Sequence, residues 1–151
     1  MQHRLPALAL ILTLGVAAPA TALAMGFGSS NDDEATYDMG YEKAQAGDYA
    51  EAIEILEDVV EDDPDNADAW NMLGYSYRNS GDADNAWDAY ERALAIDPNH
   101  LGAHEYIGEW YLMQGDVASA QAQLEKLSTL CPSGCEELDT LSASIEAATN
   151  S

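Results

Sequence analysis

A pattern that returns every 34 residues governs what this 151-residue chain can fold into. Pro64, Pro98 and Pro132 stand at that spacing. So do Gly40, Gly74 and Gly108, then Gly47, Gly81 and Gly115, then Ala52, Ala86 and Ala120. An aspartate follows each glycine of the second set: Asp48, Asp82 and Asp116. Small residues held in register over three periods mark one supersecondary unit repeated in space, each burying its apolar face against the next. Such an array offers a binding surface rather than a built-in catalytic centre.

Within one period the pattern is helical. Trp70, Leu73 and Tyr77 fall three and four apart, as one face of an amphipathic helix requires. Ala83, Ala86, Trp87, Tyr90, Ala93 and Leu94 do so again. Asn79-Ser80-Gly81-Asp82 lies between them, with glycine to end one helix and aspartate to cap the next. Gly74 and Ala86 lack bulk where the two helices of a hairpin cross. Asp97-Pro98-Asn99 stops the second helix, because proline disfavours helix in the residue before it. Asp65-Asn66-Ala67-Asp68 opens the next repeat with capping groups and acids. The reading predicts helices over 33–46, 49–61, 67–79, 83–96, 101–114 and 117–130. A seventh follows Ser133-Gly134-Cys135-Glu136, which has capping-box spacing. Leu138, Leu141, Ile145 and Ala148 form its apolar stripe; Asp139, Thr140 and Ser144 form a polar face suited to a solenoid cap.

The series Trp70, Leu73-Gly74, Tyr77, Ala86, Tyr90, Pro98 resembles the tetratricopeptide repeat family, whose pattern is W-x2-L-G-x2-Y, A-x3-F and P at period 34. The third repeat keeps Ile107-Gly108, Tyr111, Ala120, Leu124 and Pro132 but has His104 where a large apolar residue is usual. The first keeps Met39-Gly40, Ala52, Leu56 and Pro64, with Thr36 and Lys43 where aromatics are expected. The resemblance implies an all-α, right-handed superhelical solenoid of three helix hairpins (33–66, 67–100 and 101–132) with a capping helix and tail over 133–151.

It also implies that the first helix of each repeat lines a concave face. The residues projecting from that face are Tyr37, Tyr41 and Gln45, then Asn71, Tyr75, Arg78 and Asn79, then Glu105, Glu109, Leu112 and Met113. Tyrosines and amides there suit an extended peptide or a partner helix. Some members of the family clamp a partner's terminal carboxylate with basic groove residues. Here only Arg78 is expected to face the groove, so a basic or neutral peptide fits better.

The first residues read as an export signal. His3 and Arg4 precede an apolar run, Leu5 to Ala18, and Ala22-Leu23-Ala24 is a small-x-small cleavage site. The run is shorter than the roughly 20 residues a spanning helix needs. We therefore expect a signal peptide over 1–24, a flexible leader over 25–32, and a periplasmic or secreted product with no membrane insertion after cleavage near Ala24. Cleavage would leave 28 acidic residues against four basic ones, a net charge of −24. That balance repels nucleic acid and anionic lipid. It either favours a cationic partner or serves solubility.

Cys131 and Cys135 are the two thiols, and export makes a disulfide across Pro132-Ser133-Gly134 the expectation. The alternative is a metal- or redox-handling protein using them with His100 and His104, four apart at one end of the same hairpin. A third reading is self-association through exposed helix faces. No G-x-S-x-G, phosphate loop, H-E-x-x-H or calcium loop is present. The sequence thus points to a non-catalytic peptide- or protein-binding adaptor without a cofactor.

Overall fold

The structure, a computed structural model, describes residues 35–150. The expected signal peptide and leader lie outside these residues. Seven helices follow one another: α1 (Tyr37–Ala46), α2 (Tyr49–Asp62), α3 (Ala67–Ser80), α4 (Ala83–Ile96), α5 (Leu101–Met113), α6 (Val117–Leu130) and α7 (Glu136–Thr149). Among the described residues there is no strand. The helices pair as hairpins α1/α2, α3/α4 and α5/α6, and each hairpin packs on the next. A second set of contacts runs α1 to α3, α3 to α5 and α5 to α7. The first helices of the repeats therefore stand side by side in a row, and α7 ends that row.

The turns inside the hairpins share one construction. Gly47, Gly81 and Gly115 have φ of +84°, +93° and +77°, where a side chain would be strained. Around Gly81 the chain doubles back through Gly81 N–H to the Arg78 carbonyl (3.1 Å) and Asp82 N–H to the Tyr77 carbonyl (2.9 Å). This is the Schellman arrangement, which satisfies carbonyls the helix end leaves open. Asp82 and Asp116 then cap α4 and α6, accepting from the N–H groups of Asn85 and Ser119. Asp48 makes no such side-chain bond.

The turns between hairpins hold a second device. The Trp70 indole N–H donates to the Pro64 carbonyl at 3.0 Å. In the next repeat, 34 residues on, His104 Nε2 lies 3.1 Å from the Pro98 carbonyl. His104 thus departs from the apolar pattern yet keeps the tryptophan's bond. It is buried, and its Nδ1 lies 2.8 Å from the Gln123 amide.

The glycines inside the helices mark close approach. A Cβ on Gly40 would lie 2.5 Å from Leu56, and one on Gly74 would lie 2.5 Å from the Tyr90 ring. Leu56 and Tyr90 are fully buried. In the third repeat the equivalent place against Gly108 is taken by Leu141 of α7, not by Leu124 of the partner helix. Leu124 is only half-buried.

Two helix starts differ from expectation. α1 begins at Tyr37 because the Thr36 hydroxyl accepts from Met39 N–H, and Thr36 itself is extended. The threonine that breaks the aromatic pattern is a cap. At α7 the Ser133–Glu136 capping box does not form: Cys135 is the N-cap residue, without a side-chain cap bond. Ser133 is drawn instead into a turn closed by Gly134 N–H to the Cys131 carbonyl (2.9 Å), with Gly134 at φ +91°.

Candidate functional site

The row α1, α3, α5, α7 holds a cleft of about 330 Å³. Tyr41 enters it from α1, Asn71 from α3, Gly102, Glu105 and Tyr106 from α5, and Glu136, Glu137 and Thr140 from α7. His100, the residue that caps α5, completes it. The polar groups that face it are amide, hydroxyl, carboxylate and one committed imidazole. His100 Nδ1 accepts the Ala103 N–H at 3.1 Å, so Nε2 carries the proton and donates to Asp68 Oδ1 at 2.9 Å.

Of the eleven groove residues read from the sequence, Tyr41, Asn71 and Glu105 line this cleft. Tyr41 is exposed, and its ring lies 6.0 Å from that of half-buried Tyr37. Burial, then the charge of Asp68, pushes the Tyr37 hydroxyl up to about 12. Asn71 is not a projecting residue: it is only 6 % exposed, and its Oδ1 has no hydrogen-bond partner. Glu105 is half-buried, and its carboxyl is pushed up to about 7. Burial is the main cause; the charges of Glu109, Glu137 and Glu136 add to it, and Arg78 opposes.

Three others form a packed layer between α3 and α5. Tyr75 sits between Tyr49 (6.1 Å) and Tyr106 (5.1 Å). The Arg78 guanidinium lies over the Tyr75 and Tyr106 rings at 5.7 and 5.4 Å and pairs with the Glu109 carboxylate. Ser144 of α7 reaches the other Glu109 oxygen at 3.5 Å. With its side chain 9 % exposed, Arg78 does not face the groove as expected. Its charge is drawn inward by Glu109, one repeat away in sequence. Asn79 is exposed and spends its amide on the Tyr75 carbonyl at 2.8 Å. Met113, 60 % exposed, is not among the cleft residues, nor is Gln45, and Leu112 packs into the α5/α6/α7 core.

The α7 residues were missed because that helix read as a cap with an outward polar face. Thr140 and Ser144 instead turn toward the row, while Asp139 stays exposed. The signal was present: Leu138, Leu141 and Ile145 stand 34 residues after His104, Ile107 and Tyr111. α7 occupies the place of a fourth repeat's first helix.

A larger cleft, about 680 Å³, lies across α2, α3 and α4, with Leu73, Trp70 and Ala89 as floor and Glu57, Asp58, Glu61 and Asp88 around it. Several of its polar groups are already engaged: Tyr77 O–H donates to Glu57, and Arg92 bonds the Pro64 carbonyl at 3.2 Å and pairs with Asp65 at 3.6 Å. Lys43 likewise pairs with Glu51 at 2.8 Å. Three of the four basic side chains in the described residues thus have carboxylate partners, and a carboxylate clamp has no free cation in the row.

The residues of the metal or redox reading do not converge. Cys131 and Cys135 are joined as a disulfide, with Cα atoms 6.0 Å apart. Both ring nitrogens of His100 and of His104 have partners. Among the described residues no three histidine, cysteine or acidic side chains group closely enough to hold a metal ion. Nor, among them, is any helix long and apolar enough to cross a membrane.

Comparison with solved structures places this architecture among known ones. The chain is similar to PcrH in complex with the chaperone-binding region of PopD, at 24% identity and a TM-score of 0.67, over 82% of this chain and 96% of that one. It is similar to the Yersinia enterocolitica type III secretion chaperone SycD in complex with a peptide of the translocator YopD: 22% identity, TM-score 0.65, 80% of this chain and 91% of that one. It also resembles the first repeat domain of Spaghetti bound to an HSP90 peptide: 21% identity, TM-score 0.64, 76% and 90% covered. A search of curated proteins finds no match. Two family models described as tetratricopeptide repeat match residues 37–100 and 77–145, spanning every helix but the last turn of α7. With the 34-residue register carried through to α7, the chain belongs to the tetratricopeptide repeat family.

Proposed function

We propose that this protein is a non-catalytic adaptor that holds an extended peptide or protein segment along the α1/α3/α5/α7 row. The observation that carries the reading is the open cleft in that row, where tyrosine rings and hydrogen-bonding groups from four helices meet. Tyrosine supplies rigid contact area there, and amide and carboxylate groups supply direction. Similar folds described as bound to peptides support the same use of the architecture. The carboxylates in the cleft and the net charge of −23 favour a basic or neutral segment over an acidic one.

Export fits the N-terminal sequence, and we place the adaptor in a periplasm or outside the cell. N-terminal sequencing of the exported protein tests this: processing after Ala24 is expected, and an intact Met1 in that fraction would overturn it. The binding reading is tested by pull-down from a periplasmic extract with wild type and with Tyr41→Ala/Glu105→Gln. Tyr41 is chosen over Tyr75 because Tyr75 is part of the packed layer. Loss of a specific partner from the double variant is expected; an identical partner set would move the interface off this row.

A further inference from the structure

The larger cleft, of about 680 Å³, is a groove with two walls and a floor. Its walls are α2 and α4, which each pack on α3 and, among the described residues, not on each other. α3 is the floor, with buried Leu73 and the half-buried rings of Trp70 and Tyr77; Val60 of α2 and Ala89 of α4 complete it. At about 100° per residue, these α3 positions all lie a quarter-turn or more from Asn71, which enters the row cleft. The groove therefore opens on another side of the helix.

The donors at this groove are spent within the fold. The Trp70 indole N–H goes to the Pro64 carbonyl at 3.0 Å, the Tyr77 hydroxyl to Glu57, and the Asn85 amide to Asp82 Oδ2 at 2.7 Å. Arg92 is held by the Pro64 carbonyl and by Asp65. What is left is aromatic and aliphatic carbon and three exposed carboxylates, Asp58 and Glu61 on one wall and Asp88 on the other. No hydrogen bond or ion pair from a described residue engages those three. The next junction lacks both features. There Gln123 stands in the register of Ala89 and His104 in that of Trp70, and the two side chains meet at 2.8 Å. Asp58, Glu61 and Asp88 are matched there by Arg92, Ala95 and Ala122. Charge kept for solubility alone has no reason to follow an open floor at one junction and vanish with it at the next.

We propose that this groove is a second docking surface, distinct from the row, for an amphipathic helix of a partner protein that is apolar on one face and carries lysine or arginine along both edges. An amphipathic helix lays its apolar face into such a trough with side chains at i, i+3 or i+4, and i+7. The lining residues of α4 run from Asn85 to Arg92, a length of about two helical turns. The apolar face supplies most of the affinity, because exposed ion pairs contribute little. The carboxylates select: they draw cationic edges to both walls and repel acidic ones. With its donors committed, the groove does not suit nucleic acid, a phosphopeptide or anionic lipid. A second copy of this chain would bring another net charge of −23 to the same walls.

The surface stands without the row, and the test reads both. The isotope-labelled protein is titrated with a synthetic helix of leucine and lysine, its leucines along one face, while backbone amide shifts are recorded. Saturable shifts are expected at Val60, Glu61, Leu73, Tyr77 and Ala89. None is expected there from the same peptide with glutamate for lysine or with glutamine for leucine. Asp58→Arg/Glu61→Ala/Asp88→Ala, which gives this junction the side chains of the next, should weaken binding about tenfold. The same change of charge in Asp139→Arg/Glu125→Ala/Glu146→Ala should leave it unchanged, as should Tyr41→Ala/Glu105→Gln in the row. Ala89→Gln should fill the floor and weaken binding as much as the triple variant. Should it misfold, the triple variant decides, since its three positions are exposed. No saturable shift, binding of the glutamine-for-leucine peptide, or equal weakening by the control triple would each overturn the groove. Shifts confined to Glu105, Tyr106 and Glu137, or loss of binding in the row variant, would overturn it while sustaining the row. Shifts of the groove amides with protein concentration alone would give the surface to a second copy and overturn the partner helix.

Discussion

Gly74 within α3 and Gly81 just beyond its end are glycines for different reasons. At 74 a methyl group would meet a fully buried tyrosine ring 2.5 Å away that has no room to swing. Gly74→Ala should therefore lower stability by about 1–3 kcal/mol in urea unfolding. Tyr90→Leu should recover part of the loss; strict additivity would show that the ring is not the cause. Gly81 has nothing within 4 Å of its missing Cβ, and its penalty is one of backbone alone, about 1–2 kcal/mol for Gly81→Ala. Glu105 gives a pH signature. Its folded pKa, about 7, lies above its ordinary 4.5, so the folded state holds the proton more tightly. Its presence then disfavours folding increasingly as pH rises from about 4.5 to 7, and the effect is constant above that window. Thermal midpoints of Glu105→Gln and wild type should converge near pH 4 and separate by pH 8, with the variant higher. These residues were legible to different degrees. The glycines announced themselves by spacing, whereas Arg78 did not. Its burial depends on Glu109, 31 residues away, and a single helix pattern carries no trace of that pairing.

At the scale of helices, the period located six of the seven with ends correct to within a few residues, because turn glycines and prolines fix them locally. α4 and α6 run over the expected residues. The seventh was expected as the cap that ends the array, and it is; the side its polar stripe faces was not legible, since such a stripe looks the same whether it meets water or a neighbouring polar face. α7 packs on both α5 and α6, and Leu141 and Ile145 carry that contact. Leu141→Ala should cost about 2–5 kcal/mol, as for a fully buried leucine, although it lies in the last helix. Calorimetry would check this, and a cost below about 1 kcal/mol would mean that α7 is not part of the core. Reduction of Cys131–Cys135 should act more gently. The bridge closes a loop of sequence separation 4, so the entropic gain falls below the roughly 3 kcal/mol of a 15-residue loop. Hydrogen exchange should rise in α7 on reduction and stay unchanged in α3.

Taken as a whole, the chain carries 28 acidic residues against 5 basic ones, and self-repulsion opposes the compact state. The thermal midpoint should climb as sodium chloride is raised from 10 to 500 mM, since screening weakens repulsion across the surface. A flat response would mean that the carboxylates are already well separated. At the two junctions between repeats a side chain from the following helix reaches back to the repeat proline: Trp70 to Pro64, His104 to Pro98. At the third junction, Leu138 stands in that register and has no N–H to offer, and there a covalent bond spans the turn. Mechanically, the array has two joints set by hydrogen bonds, which any solvent condition that preserves the fold leaves in place. It has a third set by oxidation state. The wall formed by Glu136 and Glu137 begins immediately beyond that third joint, so the fit of the cleft at its α7 side is tied to the redox conditions the protein meets.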